Sequence, residues 1–371
     1  MRILMAVPSI SGPHGTTRNV LWLAEAFAGL GHAVSLASIG TGGRAAFGLD
    51  EGIPVRSVRR QSGAGFAPGL ARMIRDWNPD ALIGFGHVPN LSSIRARRMA
   101  RARIPVVVTA TEILGFYLES RPKVLAQVAR QAATWYPRAD ALAGLCDAVN
   151  EEFAKLSGLP LERFRVLPNA VNVDLARRNA VEEADHPWFR DGGAPTFLAV
   201  GRLAPQKRYP LLLQAFAKLR EKREARLVIL GEGPERRSLE RMAGKLHLDE
   251  SVRLPGFLSN PFACMARAAA LVHASRWESF GSALVEALAC GTPVVAMDCP
   301  GAPRDILGRG RYGRLVRDGD PAAFARAMLE ALEETPDRDA LRARAGDFAA
   351  PLVARQWLGL LRKLGAKDSR T

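Results

Sequence analysis

Short runs of Val, Ile, Leu and Ala alternate with helical patterns along this chain, and they do so in two series separated by one lapse. In the first series, residues 2–7, 33–38, 80–84, 105–110, 140–145 and 164–167 read as buried strands, with helical segments such as 16–30 and 90–102 between them. Near-continuous apolar strands separated by helices need a parallel sheet covered on both faces. The pattern lapses through residues 173–195, a stretch rich in Glu, Asp, Pro and Gly, and resumes at 196–200, 226–230, 252–254, 270–273, 293–297 and 314–316. The expectation is an α/β chain of two Rossmann-like, doubly wound parallel-sheet domains, residues 1–172 and 196–350, joined by an interdomain linker at 173–195 and facing a central cleft. Ligands of such sheets bind beyond the carboxyl ends of the strands.

At 371 residues the chain is long enough for each domain to bury its own core. Cys146, Cys264, Cys290 and Cys299 show no Cys-x-x-Cys pairing and no histidine at zinc spacing, which points to reduced thiols in a cytoplasmic chain and against a cysteine metal site. The opening Met1–Pro8 run is too short for a signal peptide. Pro105, Thr109, Thr111 and Glu112 interrupt the most apolar region, so no membrane span is expected. The net charge of +15 calls for an anionic partner. Arg95, Arg97, Arg98, Arg101 and Arg103 concentrate that charge on one helix beside Ile94 and Met99, a spacing that suits peripheral contact with an anionic membrane and equally suits a merely solvated basic face.

Two carboxylates mark the second half. Glu278 precedes a turn at Phe280-Gly281-Ser282, and Glu286 lies about one helical turn further on among Leu284, Val285, Ala287 and Leu288. Backbone amides at the start of that helix favour an anion, and carboxylates on either side accept hydrogen bonds from diols. Two diols joined by a diphosphate describe a nucleotide-sugar. A glutamate on an amphipathic helix is often only solvated, but an apolar neighbourhood asks for a partner. Upstream, Arg202 and Lys207 bracket a proline turn after the first strand of the second series, where two cations can clamp a diphosphate and offset the charge on a departing nucleoside diphosphate.

Gly201-Arg202…Lys207, Gly231-Glu232-Gly233-Pro234, Gly256-Phe257-Leu258 and Glu278…Glu286 with Gly291-Thr292-Pro293-Val294 together resemble glycosyltransferase family 4, the retaining enzymes of GT-B fold. The resemblance covers nearly the whole second half. It implies that Arg202 and Lys207 hold the diphosphate, that Glu278 contacts the donor sugar and that Glu286 binds the ribose. It further implies that Leu258 borders the base and that the backbone at Phe280, Gly281 and Ser282 approaches the donor. Residues 351–366 are then expected to return as a helix to the first domain. In the first half only Gly15 matches the family's glycine pair, His14 standing in place of its partner. His87, in Gly86-His87-Val88-Pro89-Asn90 at a strand end, is the acceptor-side candidate for catalysis, with Glu112 a weaker one.

The resemblance, closest to bacterial enzymes of surface polysaccharide, lipopolysaccharide or lipid-linked oligosaccharide synthesis, implies transfer from a nucleoside-diphosphate sugar, UDP being the commonest carrier, to a glycan or lipid-linked glycan. No cofactor and no metal are expected: Asp318-Gly319-Asp320 imitates a metal motif, but Asp320 before Pro321 reads as a helix N-cap. A sugar-nucleotide epimerase of the same fold is the alternative enzyme. A nucleic-acid-binding protein accounts for the charge alone, and with no recognisable stacking module nucleic acid is not an expected partner.

Overall fold

The computed structural model describes residues 1–10, 15–39, 52–58, 66–317 and 319–367. Its contacts divide the chain into two compact units, Met1–Val171 with Ala349–Thr371, and Asn172–Phe348.

The first unit carries strands β1 (Arg2–Val7), β2 (Ala33–Ser38), β3 (Val55–Ser57), β4 (Ala81–Phe85), β5 (Val106–Ala110), β6 (Ala141–Gly144) and β7 (Phe164–Val166). They form one parallel sheet in the order β3-β2-β1-β4-β5-β6-β7. The middle strands are buried on both faces, which is why they read as unbroken apolar runs. Two carboxylates pin strand starts: Asp80 accepts from the Arg2 amide at 2.6 Å and Asp140 from the Val106 amide at 2.7 Å. The last helix, Ala350–Lys363, packs on the Gly15–Gly29 helix and sets Trp357 against Phe85 with ring centroids 6.1 Å apart. Strand β3 is absent from the apolar pattern because only Val55 of its residues is even half-buried, with Arg56 and Ser57 exposed at the sheet edge.

The second unit carries β8 (Thr196–Val200), β9 (Arg226–Leu230), β10 (Val252–Gly256), β11 (Leu271–His273), β12 (Val294–Met297) and β13 (Arg314–Val316). They form a second parallel sheet ordered β10-β9-β8-β11-β12-β13. Numbered within the unit this is 3-2-1-4-5-6, the dinucleotide-fold order, whose reversal lies between β8 and β11. Phe197, Phe216 and Phe324 are fully buried in its core, where the Tyr209–Arg220 and Pro321–Glu333 helices pack together. Asp320 caps the second of these helices by accepting from the Ala322 amide at 2.8 Å; Asp318 lies outside the described residues. Residues 173–195 are more than a connection. The Val173–Ala180 helix, capped by Asn172, packs against the Pro261–Arg267 and Ser282–Cys290 helices, so the segment belongs to the body of the second unit. Its helix escapes an apolar-run reading because only Val173 and Ala176 are buried.

Candidate active site

Where the second sheet reverses its order, the loops that follow β8 and β11 emerge side by side. They are stitched together through Gln206: its side-chain Nε2 donates to the Trp277 carbonyl at 3.0 Å, and its backbone carbonyl accepts from the Arg276 amide at 2.8 Å. The stitch brings Lys207, at the end of the Pro205–Lys207 turn, onto Glu278, and its Nζ donates to Glu278 Oε2. Ser275 Oγ donates to the same oxygen at 3.3 Å, and His273 Nε2 lies 3.2 Å from it. Two residues 71 positions apart in sequence therefore share one ion pair.

Burial by itself would push the Glu278 carboxyl up, but the Lys207 ammonium, followed by His273, outweighs it and holds Glu278 well below the usual carboxylate range. Burial pushes the fully enclosed His273 imidazole down, only partly offset by Glu278, so it is neutral near pH 7. Glu278 is thus an ionised acceptor anchored on one oxygen. The Arg202 guanidinium, exposed on the same loop as Lys207, has no hydrogen-bond or ion-pair partner among the described residues. A cation held in place beside a free one, at the carboxyl end of a sheet, suits a polyanion such as a diphosphate.

Glycines allow the loops to approach this closely. A Cβ on Gly231 would lie 2.1 Å from the Gly201 carbonyl oxygen, and one on Gly233 would lie 2.3 Å from that of Leu203. The loops after β8 and β9 therefore pack backbone on backbone. Glu278 pairs with Gly301 in an isolated parallel bridge, where a Cβ would come within 1.7 Å of the Glu278 carbonyl oxygen. Gly281, at φ 97°, turns the chain into the Ser282–Cys290 helix.

Along that helix Glu286 is only 1% exposed, packed among Leu284, Val285, Ala287 and Leu288. Ser282 stands at the first helical position, and Phe280 is buried edge-on to Phe348 at 5.7 Å, leaving the backbone of residues 280–282 as its polar contribution to the site. Leu258 follows β10 half-buried beside the exposed Phe257.

In the first unit, Gly15 opens the Gly15–Gly29 helix, while His14 lies outside the described residues. His87 begins the His87–Ala100 helix rather than sitting in a loop, because Gly86 at φ 87° makes the turn one residue after the strand. Both ring nitrogens of His87 are engaged. Nε2 lies 2.9 Å from Gln131 Oε1, an acceptor, so Nε2 carries the proton and Nδ1 accepts from the Tyr136 hydroxyl at 3.0 Å. Tyr136 in turn accepts from Asn90 Nδ2 at 3.1 Å, and Asn90 exchanges two bonds with the Thr109 backbone. Burial, with a smaller contribution from Arg95, lowers the His87 pKa despite its bond to Gln131. Among the described residues no cluster of three His, Cys, Asp or Glu side chains could hold a metal ion.

Two family models tile this framework. The glycosyl transferase 4-like domain matches residues 14–170, and the glycosyl transferases group 1 domain matches residues 181–348. The chain is a glycosyltransferase made of these two domains. A Campylobacter jejuni enzyme, named as the N-acetylgalactosamine-N,N'-diacetylbacillosaminyl-diphospho-undecaprenol 4-alpha-N-acetylgalactosaminyltransferase, is 27% identical over 74% of this chain and 73% of its own. The lipopolysaccharide core biosynthesis glycosyltransferase LpsE of Rhizobium meliloti is 25% identical over 79% of this chain and 89% of its own. The crystal structure of Anabaena HepE in complex with UDP superposes with a TM-score of 0.81 at 21% identity, covering 98% of this chain and all of HepE. The fold is GT-B, and the glycosyltransferase is related to bacterial enzymes of lipopolysaccharide and polysaccharide synthesis.

Four residues of the glycosyltransferase's ion-pair region escape notice in the sequence: Gln206, His273, Ser275 and Gly301. Each acts on the Glu278 loop from elsewhere in the chain or through a short local bond. His273 alone carries a readable signal, a titratable side chain closing an otherwise apolar strand, Leu271-Val272-His273.

Proposed function

We propose that this glycosyltransferase is a retaining hexosyltransferase of family 4 that moves a sugar from a nucleoside diphosphate, UDP, to a hydroxyl of a glycan or lipid-linked glycan during bacterial surface-polysaccharide synthesis. The observation that carries the reading is the Lys207–Glu278 pair at the reversal of the second sheet, with the unpaired Arg202 beside it. Arg202 and Lys207 hold the diphosphate and offset the charge that accumulates on it as the glycosidic bond breaks. Glu278, ionised and fixed through one oxygen, accepts from donor-sugar hydroxyls. Glu286 accepts from the ribose diol, Leu258 borders the base, and the amides at 280–282 meet the phosphates. No metal takes part, the cations of the protein serving instead. The UDP bound by HepE supports the nucleotide, and the diphospho-undecaprenol in the name of the Campylobacter relative supports a lipid-linked acceptor.

A lipid-linked acceptor places the enzyme at a membrane, though no described helix is long and apolar enough to cross one. Arg95, Arg98, Arg101 and Arg103 are exposed along with Met99, so this face supplies a peripheral contact with anionic lipid. Arg97 is occupied differently: it pairs with Asp140 and donates to the Ile104 and Arg138 carbonyls. Calorimetric titration with UDP, GDP and ADP tests the donor site. UDP is expected to bind wild type and to lose at least about tenfold in affinity in Glu286→Ala, one truncated carboxylate hydrogen bond being worth about 1.5–3 kcal/mol. A folded wild type that binds none of the three overturns the proposal. NMR of the product anomer distinguishes retention from inversion.

A further inference from the structure

After β5 the first unit builds a short hook whose stability exceeds what its length provides. The helix Leu114–Tyr117 has only four residues, too few to persist alone. It is held from beneath. Glu152, on the Asp147–Ser157 helix, accepts from the Gly115 amide at 2.6 Å, and a Cβ on Gly115 would lie 2.5 Å from that same carboxylate oxygen. Glycine at 115 is therefore what lets the carboxylate reach the backbone. Ile113, Leu114 and Leu118 are buried on either side, and the Arg121 amide donates to the Leu118 carbonyl at 2.7 Å to close the turn. Glu152 Oε2 is buried without a partner among the described residues, a cost the fold accepts to hold this segment. Burial pushes its carboxyl up, partly offset by the Gly115 and Leu114 amides.

What the hook displays is Tyr117, 60% exposed although its neighbours Leu114 and Leu118 are buried. An aromatic ring held out on a braced turn is a rigid, amphipathic surface: its face suits the C–H face of a pyranose and its hydroxyl can exchange hydrogen bonds with sugar hydroxyls. The hook follows β5 at the carboxyl edge of the first sheet, the edge on which doubly wound sheets bind ligands. Its charge is balanced: along residues 111–123 Glu112 and Glu119 are matched by Arg121 and Lys123. A neutral balance beside an exposed ring does not select an anion and suits a neutral sugar ring, whose hydroxyls exchange hydrogen bonds with polar side chains.

We propose that Tyr117 is the stacking platform for a sugar ring of the glycan acceptor and that Glu152 is the positioning residue that holds it in place. The assignment rests on the glycosyl-transfer reading above. It makes Tyr117 a determinant of acceptor choice, since a planar platform favours sugars with a continuous axial C–H face over those with axial hydroxyls on it.

The test is saturation-transfer difference NMR with methyl glycosides of glucose, galactose and N-acetylglucosamine on wild type, Tyr117→Ala, Tyr117→Trp, Glu152→Ala and Glu152→Gln. At least one glycoside is expected to bind wild type, with affinity about threefold to tenfold weaker in Tyr117→Ala and retained in Tyr117→Trp. Glu152→Ala should reproduce the loss with Tyr117 intact. Glu152→Gln, whose amide oxygen still accepts from Gly115, should restore binding. Equal glycoside binding by wild type and Tyr117→Ala, or no glycoside bound by wild type, overturns the platform; full binding by Glu152→Ala overturns the bracing role. If Tyr117→Ala instead loses only its binding to phosphatidylglycerol vesicles, the residue is a membrane contact and the proposal falls. UDP titration of the same samples separates the two readings: a wild type that binds UDP but no glycoside sinks the platform alone, and one that binds no UDP sinks the donor-site reading.

Discussion

At the scale of single residues, the loops after β8 and β11 are organised around a carboxylate that stays ionised although it is largely enclosed. Lys207 and Glu278 are both mostly shielded from water, so removing one partner leaves the other uncompensated. Lys207→Met is expected to destabilise the protein by about 3 kcal/mol in urea unfolding, with much of the loss recovered in the Lys207→Met, Glu278→Gln double variant. Folding lowers the Glu278 pKa relative to the unfolded chain. The stabilisation it gives is therefore complete above the ordinary carboxylate pKa and is lost as the solution is acidified below it. Urea midpoints of wild type should fall below about pH 4.5, and those of Glu278→Gln should fall less over the same window. The residues of this site divide by how far away their partners are. Lys207 and Glu278, which the fold brings together, are announced in the sequence by side-chain type and local spacing, as are the candidates Arg202 and Glu286. Gly301 is not, because its requirement is set by the carbonyl of Glu278, which only the folded backbone brings within 1.7 Å of where its Cβ would be.

At the scale of elements, the loops are locked by what they lack. Gly231→Ala would drive a Cβ into the Gly201 carbonyl, so the β8 and β9 loops must separate. That variant should lose UDP affinity by more than about tenfold in calorimetry even though residue 231 carries no side chain to touch a ligand. On the other sheet, donation runs from Asn90 through Tyr136 and His87 to Gln131, and Asn90 is itself fixed by exchanging two bonds with the Thr109 backbone. Tyr136→Phe removes the middle of this line and leaves buried donors and acceptors unpaired, which should cost about 1–3 kcal/mol in thermal or urea unfolding. Most strands were legible to within a residue or two from their apolar runs, and the N-cap at Asp320 from its proline. The edge strand β3 was not, since one half-buried valine carries no pattern. The helix at 173–180 was hidden for the complementary reason, a polar surface with two buried residues inside a segment that reads as a connection.

At the scale of the whole molecule, the net charge of +15 has an exposed focus in Arg95, Arg98, Arg101 and Arg103. Binding to phosphatidylglycerol vesicles is expected to weaken steeply with added salt, and charge reversal at Arg95, Arg98 and Arg101 should abolish it in flotation assays while UDP titration stays unchanged. The repeated βα rhythm made both sheets legible, because a parallel sheet needs a crossover after every strand. The return of the last helix to the first domain was legible only through the family resemblance, since nothing in the composition of Ala350–Lys363 says which sheet it covers. It covers the first. Val171 and Ala349 are bridged, with the Ala350 amide donating to the Val171 carbonyl at 2.9 Å, so residues 172–348 leave and return at one point. The second unit is in effect an insertion into the first. On the ribosome, the amino-terminal sheet therefore lacks the partners of Phe85 and of the Gly15–Gly29 helix until residues 350–363 have emerged. The unit made first is the one finished last.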